Sequence, residues 1–185
     1  IMTEKFHNIL QYPDKKLLQK SREVKKNEAD LKIILEDLKK LAKANSKNGI
    51  TLVGLSAPQL GVNIRAFVYF DFKQKKYIDV INPKLIYSSK EYSNEWEGCA
   101  SVGSGKNSLF GPVSRSKSCQ INFIDIDGNE HMLSASNYLS HVILHEIDHL
   151  DGIIFLERVI DPKMIMTAAE LDTYADKHGG KYPKL

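Results

Sequence analysis

His145-Glu146-Ile147-Asp148-His149 is embedded in a run whose apolar residues, Tyr138, Leu139, Val142, Ile143, Ile147 and Leu150, recur at helical spacing up to a stop at Gly152. The run therefore reads as a helix begun near Ser134 or Ser136, either of which is a good N-cap type. On that helix His145 and His149 are four residues apart and lie on one face, one turn above the other. Two imidazoles so placed can reach a single metal ion. Glu146 is offset from that face, placed to act on water at the metal and not on the metal itself. This is the HExxH pattern of metal-dependent hydrolases, and it leaves a third ligand to be found elsewhere in the chain.

Working outward, the clearest other helix spans 27 to 45, where Leu31, Ile34, Leu35, Leu38, Leu41 and Ala42 make one continuous stripe and Asn48-Gly49 marks the stop. It is a packing helix with no reactive group expected on its inner face. Strand patterns lie between the two helices, at 65–70, at 77–81 ending before Asn82-Pro83, and briefly at 85–87. A hairpin follows, from 118–125 through Asp127-Gly128 into 130–133, and apolar residues on both of its faces predict that it is well covered. A last helix is expected over 162–177, ending at Gly179-Gly180. With no alternation of strand and helix, the expected class is α+β: mainly antiparallel β-sheets packed around a central HExxH helix, with an N-terminal helix and a C-terminal helix. No repeat or linker divides the chain, and 1–185 is read as a single domain.

Composition bounds the function. The chain is 42% hydrophobic and 26% charged, the balance of a soluble globular protein. Its net charge of +3 is spread over Lys25, Lys26, Lys39, Lys40, Lys73, Lys75 and Lys76, read as solvated faces and loop tips and not as a nucleic-acid groove. No apolar run is long enough for a membrane span, and the opening Ile1-Met2-Thr3-Glu4-Lys5 lacks the plan of a secretory leader. Two cysteines, Cys99 and Cys119, point to a reducing compartment with at least one thiol free for chemistry.

Cys99 lies in Trp96-Glu97-Gly98-Cys99-Ala100-Ser101, whereas Cys119 sits in the alternating hairpin strand and reads as core. A lone cysteine can be no more than a small buried apolar residue. Joined to the two histidines, though, Cys99 gives a sulfur and two nitrogens with a fourth position open, the plan of a catalytic metal centre. Gln59, in Gly54-Leu55-Ser56-Ala57-Pro58-Gln59-Leu60-Gly61, is either a solvated turn residue or an amide donor held by the Ala57-Pro58 step and aimed at a developing oxyanion.

Taken together, GLSAPQLG (54–61), EGCAS (97–101) and HEIDHLDG (145–152) resemble, in order and spacing, the three motifs of the peptide deformylase family, and the opening from Ile9 to Asp14 with Leu17-Leu18 is similar as well. The resemblance implies an enzyme that removes the N-formyl group from the N-terminal formylmethionine of newly synthesised proteins, releasing formate. It implies that Cys99, His145 and His149 bind the metal, that Glu146 is the general acid/base, and that Gln59 and the backbone N–H of Ala100 form the oxyanion site. The implied metal is Fe²⁺, with Zn²⁺, Ni²⁺ or Co²⁺ as substitutes. Substrate contacts are expected at Val53, Gly54, Leu55, Glu97, Gly98, His141 and Val142. Glu97 is a candidate partner for a ligand histidine, and Arg115 for Glu97 or Asp148. The implied partners are N-formylmethionyl peptides and nascent chains, with transient ribosome contact, no specific nucleic acid and no membrane. A bacterial cytoplasm is the expected location, and a processed organellar form also fits.

Four positions depart from the family pattern. Leu52 stands where a glycine is usual, Ala100 where leucine is usual, and Leu144 where glutamine is usual; His141 stands where an apolar residue faces the methionine side chain. The stretch from Gly103 to Gly111 is long and glycine-rich, which predicts a mobile flap. Two other readings compete. A zinc peptidase would need a further ligand downstream, where Asp151, Glu157 and Asp161 precede the next histidine, His178, and it would leave EGCAS unexplained. A deformylase-like protein could also bind formyl-peptides or metal without turnover.

Overall fold

The stripe read between 31 and 42 forms helix α1 (Leu31–Ala44), which buries Ile34, Leu35, Leu38 and Ala42. The structure, a computed structural model, describes residues 8–44 and 52–185; the stop expected at Asn48-Gly49 lies outside the described residues. The inner face of α1 also carries a carboxylate that the sequence reading did not anticipate, Asp37, which is buried with Lys40 Nζ 3.8 Å away. Lys39 is not on a solvated face: its Nζ lies 2.9 Å from Asp79 and ties the helix to the sheet beneath it.

Eight strands follow in the chain: β1 (Gly54–Ser56), β2 (Ala66–Asp71), β3 (Lys76–Ser88), β4 (Tyr92–Gly98), β5 (Leu109–Ser116), β6 (Ser118–Ile124), β7 (Glu130–Ser136) and β8 (Met166–Thr167). Helix α2 (Tyr138–Leu150) carries HEIDH, and α3 (Ala168–Lys177) closes the described fold. Two antiparallel sheets result, one in the order β1-β2-β3-β6-β7 and one in the order β4-β5-β8. This is the α+β class that the pattern predicted.

Alternation along β2 explains the layering. Ala66 and Val68 join the cluster under α1, with Leu35, Leu38, Leu55 and Ile81. Phe67 and Tyr69 point the other way and pack with Ile121, Ile143, Ile147 and Leu150. The five-stranded sheet is therefore covered by α1 on one face and α2 on the other. A third cluster, with Leu17, Cys99, Val113, Ile154 and Phe155, fills the space on the side of the three-stranded sheet. Among the described residues no helix is long and apolar enough to cross a membrane.

Several boundaries differ from the sequence reading, each for a local reason. The strands expected at 77–81 and 85–87 are one strand, β3, whose pairing with β6 slips between Ile81 and Lys84. Pro83 offers no N–H to a ladder, and a bulge at Asn82 (φ 49°) absorbs it. Ser134 and Ser136 do not cap α2: both lie in β7, and the cap position is Asn137, in the left-handed region at φ 53°. The 118–133 hairpin is covered mainly on one face, where Cys119, Ile121 and Phe123 are buried; on the other Ile124 is half-buried and Met132 is 64% exposed. The expected 162–177 helix is a 3-10 turn at Pro162–Met164, then β8, then α3. Thr167 and Glu170 form the capping box that restarts it. Nor is 103–111 a free flap. Gly105–Asn107 is a 3-10 turn, β5 begins at Leu109, and the Ser108 carbonyl accepts from Ala168 N at 2.8 Å.

Candidate metal centre

Four chain segments meet on one side of α2. The turn Ala57–Leu60 follows β1 and is closed by Gly61 at φ 77°, a conformation that suits glycine. In that turn Gln59 Oε1 accepts from Ser56 N at 2.9 Å and Ser56 Oγ at 3.0 Å. With its oxygen so held, the amide presents Nε2 to the other side, 3.1 Å from Ser101 Oγ and 3.6 Å from Cys99 Sγ. Cys99 follows the end of β4. Its Sγ lies 3.2 Å from His149 Nε2, and the ligand atoms of Cys99, His145 and His149 all fall within 4.8 Å of one another.

Electrostatics prepares these groups. Glu97, at the buried end of β4, accepts from Arg115 Nε at 2.6 Å, Arg115 Nη2 at 3.0 Å, His141 Nδ1 at 2.9 Å and His145 Nδ1 at 3.0 Å. Burial alone would raise its carboxyl, but these donors outweigh it and hold Glu97 well below the ordinary range. An ionised carboxylate only accepts, so His145 donates to it through Nδ1 and turns its other ring nitrogen toward Cys99. Burial opposes the Cys99 thiolate too, yet the facing imidazoles, His149 foremost, bring its thiol down to about 5. Glu146 is buried, and desolvation raises its carboxyl against the pull of His145 and His149.

The donor set fits a divalent ion. A cysteine sulfur and two imidazole nitrogens converge, one histidine is held by a carboxylate at its far nitrogen, and Glu146 Oε2 and His149 Nδ1 are buried without a partner among the described residues. No other such group occurs among the described residues. The downstream acids are engaged elsewhere: Asp151 with Arg65 at 2.7 Å, Glu157 with Ile154 N at 3.0 Å, and Asp161 with Lys163 N at 3.0 Å. His178 Nδ1 instead sits 2.7 Å from the Tyr174 carbonyl at the end of α3.

A cleft of about 950 Å³ opens onto this group and is lined by Val53, Gly54, Glu97, Gly98, Ala100, His141 and Val142 among others. Of the expected substrate contacts Leu55 alone does not line it, being fully buried under α1. Gly54 is required by packing, because a Cβ there would lie 2.3 Å from Glu146 Oε1. Arg115 is buried and binds both of its expected partners, Glu97 and Asp148 at 2.7 Å. Sequence reasoning missed Gln11, whose Nε2 donates to the Ala100 carbonyl at 2.8 Å, and Trp96 and Tyr138 on the cleft wall. Gln11 lies in the opening that resembles the family but carries no spacing that marks a role, and Trp96 stood in the stretch quoted around Cys99.

With this geometry in hand, comparison with known proteins is decisive. The sequence profile of the family described as polypeptide deformylase matches residues 6–164. The chain belongs to the polypeptide deformylase family. Among its relatives, a peptide deformylase of Finegoldia magna is 34% identical over 146 residues, covering 78% of this chain and 84% of the relative. A plant peptide deformylase crystal structure superposes with a TM-score of 0.75 at 26% identity, covering 100% of both chains. One from Ehrlichia chaffeensis in complex with actinonin gives 0.74 at 28%, covering 93% of this chain and 97% of that one. Within the deformylase frame, the unusual Leu52 is accommodated by packing on the α1 cluster, and its carbonyl accepts from Tyr77 Oη at 2.8 Å. Leu144 packs against the α2 cluster.

Proposed function

We propose that this chain removes the formyl group from N-formylmethionyl peptides and nascent chains, releasing formate, with residues 1–185 acting as a single catalytic domain. The observation that carries this reading is the meeting of a thiolate–imidazole donor set, a buried carboxylate and a locked amide donor at one cleft. Cys99, His145 and His149 would hold a divalent ion, Fe²⁺ by preference with Zn²⁺, Ni²⁺ or Co²⁺ as substitutes, which would supply the Lewis acidity that makes water nucleophilic near neutral pH. Glu146 takes the proton of the attacking water and passes it to the departing amine, and its raised carboxyl suits it to both steps. Gln59 Nε2 cannot swap with Oε1 without breaking two hydrogen bonds, so it stays aimed beside Cys99, where with the Ala100 N–H it meets the developing oxyanion. Val53, Gly54, Gly98 and Val142 line the path of the peptide. A bacterial cytoplasm and transient contact with the ribosome complete the proposal, since the substrate is a chain still being made.

The test is formate release from formyl-Met-Ala-Ser by the metal-loaded protein. Turnover should fall roughly 10²–10⁴-fold in Glu146→Ala, the span typical of a lost general acid/base. Cleavage of internal peptide bonds would favour a peptidase instead. Peptide binding with no turnover on any of the four metals would reduce the chain to a binding protein.

A further inference from the structure

His141 is a second imidazole on the carboxylate that holds His145. One turn apart on α2, the two histidines reach the two oxygens of Glu97, His141 Nδ1 to Oε1 at 2.9 Å and His145 Nδ1 to Oε2 at 3.0 Å. Arg115 adds one donor to each oxygen, from Nε at 2.6 Å and Nη2 at 3.0 Å. Each oxygen therefore accepts twice, which fills the in-plane positions of the carboxylate. The two imidazoles differ at their far nitrogens. That of His145 faces Cys99, whereas Nε2 of His141 lies 3.0 Å from Ser93 Oγ. As Glu97 can only accept, His141 donates to it from Nδ1, and its Nε2 is hydrogen-bonded to the Ser93 hydroxyl. Ser93 and Arg115 are direct partners across β4 and β5, so one carboxylate pins α2, β4 and β5 together.

We propose that His141, locked by Ser93, is a positioning residue of the metal centre: it fixes the rotation of the Glu97 carboxylate and thereby the ring tilt and tautomer of His145. His141 is 2% exposed and touches Glu97 where Oε1 would otherwise have Arg115 Nε alone. With that bond gone, the Arg115 fork alone opposes the pull of His145 on Oε2, and the carboxylate plane that orients His145 loses its second tie to α2. An apolar side chain at 141 would fill the volume but supply no donor. The inference rests on reading Cys99, His145 and His149 as ligands.

The experiment compares wild-type protein with His141→Leu, His141→Asn and Ser93→Ala by Zn²⁺ competition against a chelator and by the ligand-field spectrum of the Co²⁺ form. His141→Leu should weaken Zn²⁺ about tenfold, the lower end for loss of a group that supports a ligand, and shift the Co²⁺ bands. Its kcat for formyl-Met-Ala-Ser should fall by more than KM changes. His141→Asn places an amide N–H where Nδ1–H was and should recover most of the affinity. Ser93→Ala leaves His141 in place and should weaken Zn²⁺ less, about threefold. If His141→Leu does not fold, Ser93→Ala decides alone. Wild-type affinity and spectrum in His141→Leu, or in Ser93→Ala where His141→Leu does not fold, would overturn the proposal, even with a lowered melting point. Wild-type protein that binds neither Zn²⁺ nor Co²⁺ would overturn the ligand reading as well, and is a distinct result.

Discussion

Glu97 receives four hydrogen bonds in a space that admits little water, and Arg115, one of its donors, is equally buried. Its folded-state carboxyl lies below the ordinary value of 4.5, so its charge contributes stability that is fully present above 4.5 and declines as pH falls below it. Glu97→Gln should cost about 3–5 kcal/mol at neutral pH, because one member of a buried ionic cluster is lost. Urea melts should show that gap narrowing below about pH 4.5, whereas a gap constant from pH 7 to 4 would refute the assignment. Gly54 gives a second residue-scale expectation. Gly54→Ala sets a methyl against Glu146 Oε1, and a carboxylate displaced by about 1 Å should lose roughly 10²-fold in formate release while circular dichroism stays native. That His145 and His149 would meet was legible from their spacing on a helix, whereas Cys99 and Gln59, which the structure brings beside them, were singled out by chemical type and by the resemblance and not by spacing. Gly54 was legible only as a motif letter; that it makes room for Glu146 is a fact of packing between β1 and α2.

At the scale of elements, helices were easier to read than strands. The α1 stripe and the α2 periodicity survive because a helix shows its buried face in consecutive residues. β4 and β5 went unread: β4 has no β-branched residue and no clean apolar alternation, and β5 carries Gly111-Pro112 within it, a pair that argues against a strand. β3 was cut in two at Asn82-Pro83, where the structure has a bulge. There Asn82 accepts from Val24 N at 2.8 Å and donates Nδ2 to the Val24 carbonyl at 3.0 Å. Asn82→Ala removes both bonds and leaves an alanine at positive φ, so it should destabilise by about 2–3 kcal/mol in urea unfolding with Zn²⁺ affinity unchanged. Asn82→Gly should recover part of that loss, since only the backbone strain is relieved.

For the whole molecule, the order of motifs was readable but the way two sheets flank α2 was not, because no local pattern states which strands share a sheet. The consequence is testable through metal removal. With free Zn²⁺ at about 1,000 times its dissociation constant, binding to the native state alone is worth about 4 kcal/mol. Chelation should therefore lower the melting temperature by roughly 10 °C for a chain of this size, reversibly on Zn²⁺ return. Cys99→Ser should be markedly less sensitive to chelator, and an equal drop would place the ion elsewhere.

The two imidazoles are neighbours along one helix, but the thiol is fifty residues from His149 in sequence. A peptide spanning only α2 would offer an ion two nitrogens and hold it weakly. The full grip forms when β4 docks against α2, which requires the loop between them to close first. Synthesised from its N-terminus, the chain extrudes Cys99 well before His149, so the three donors can meet only once α2 has been made.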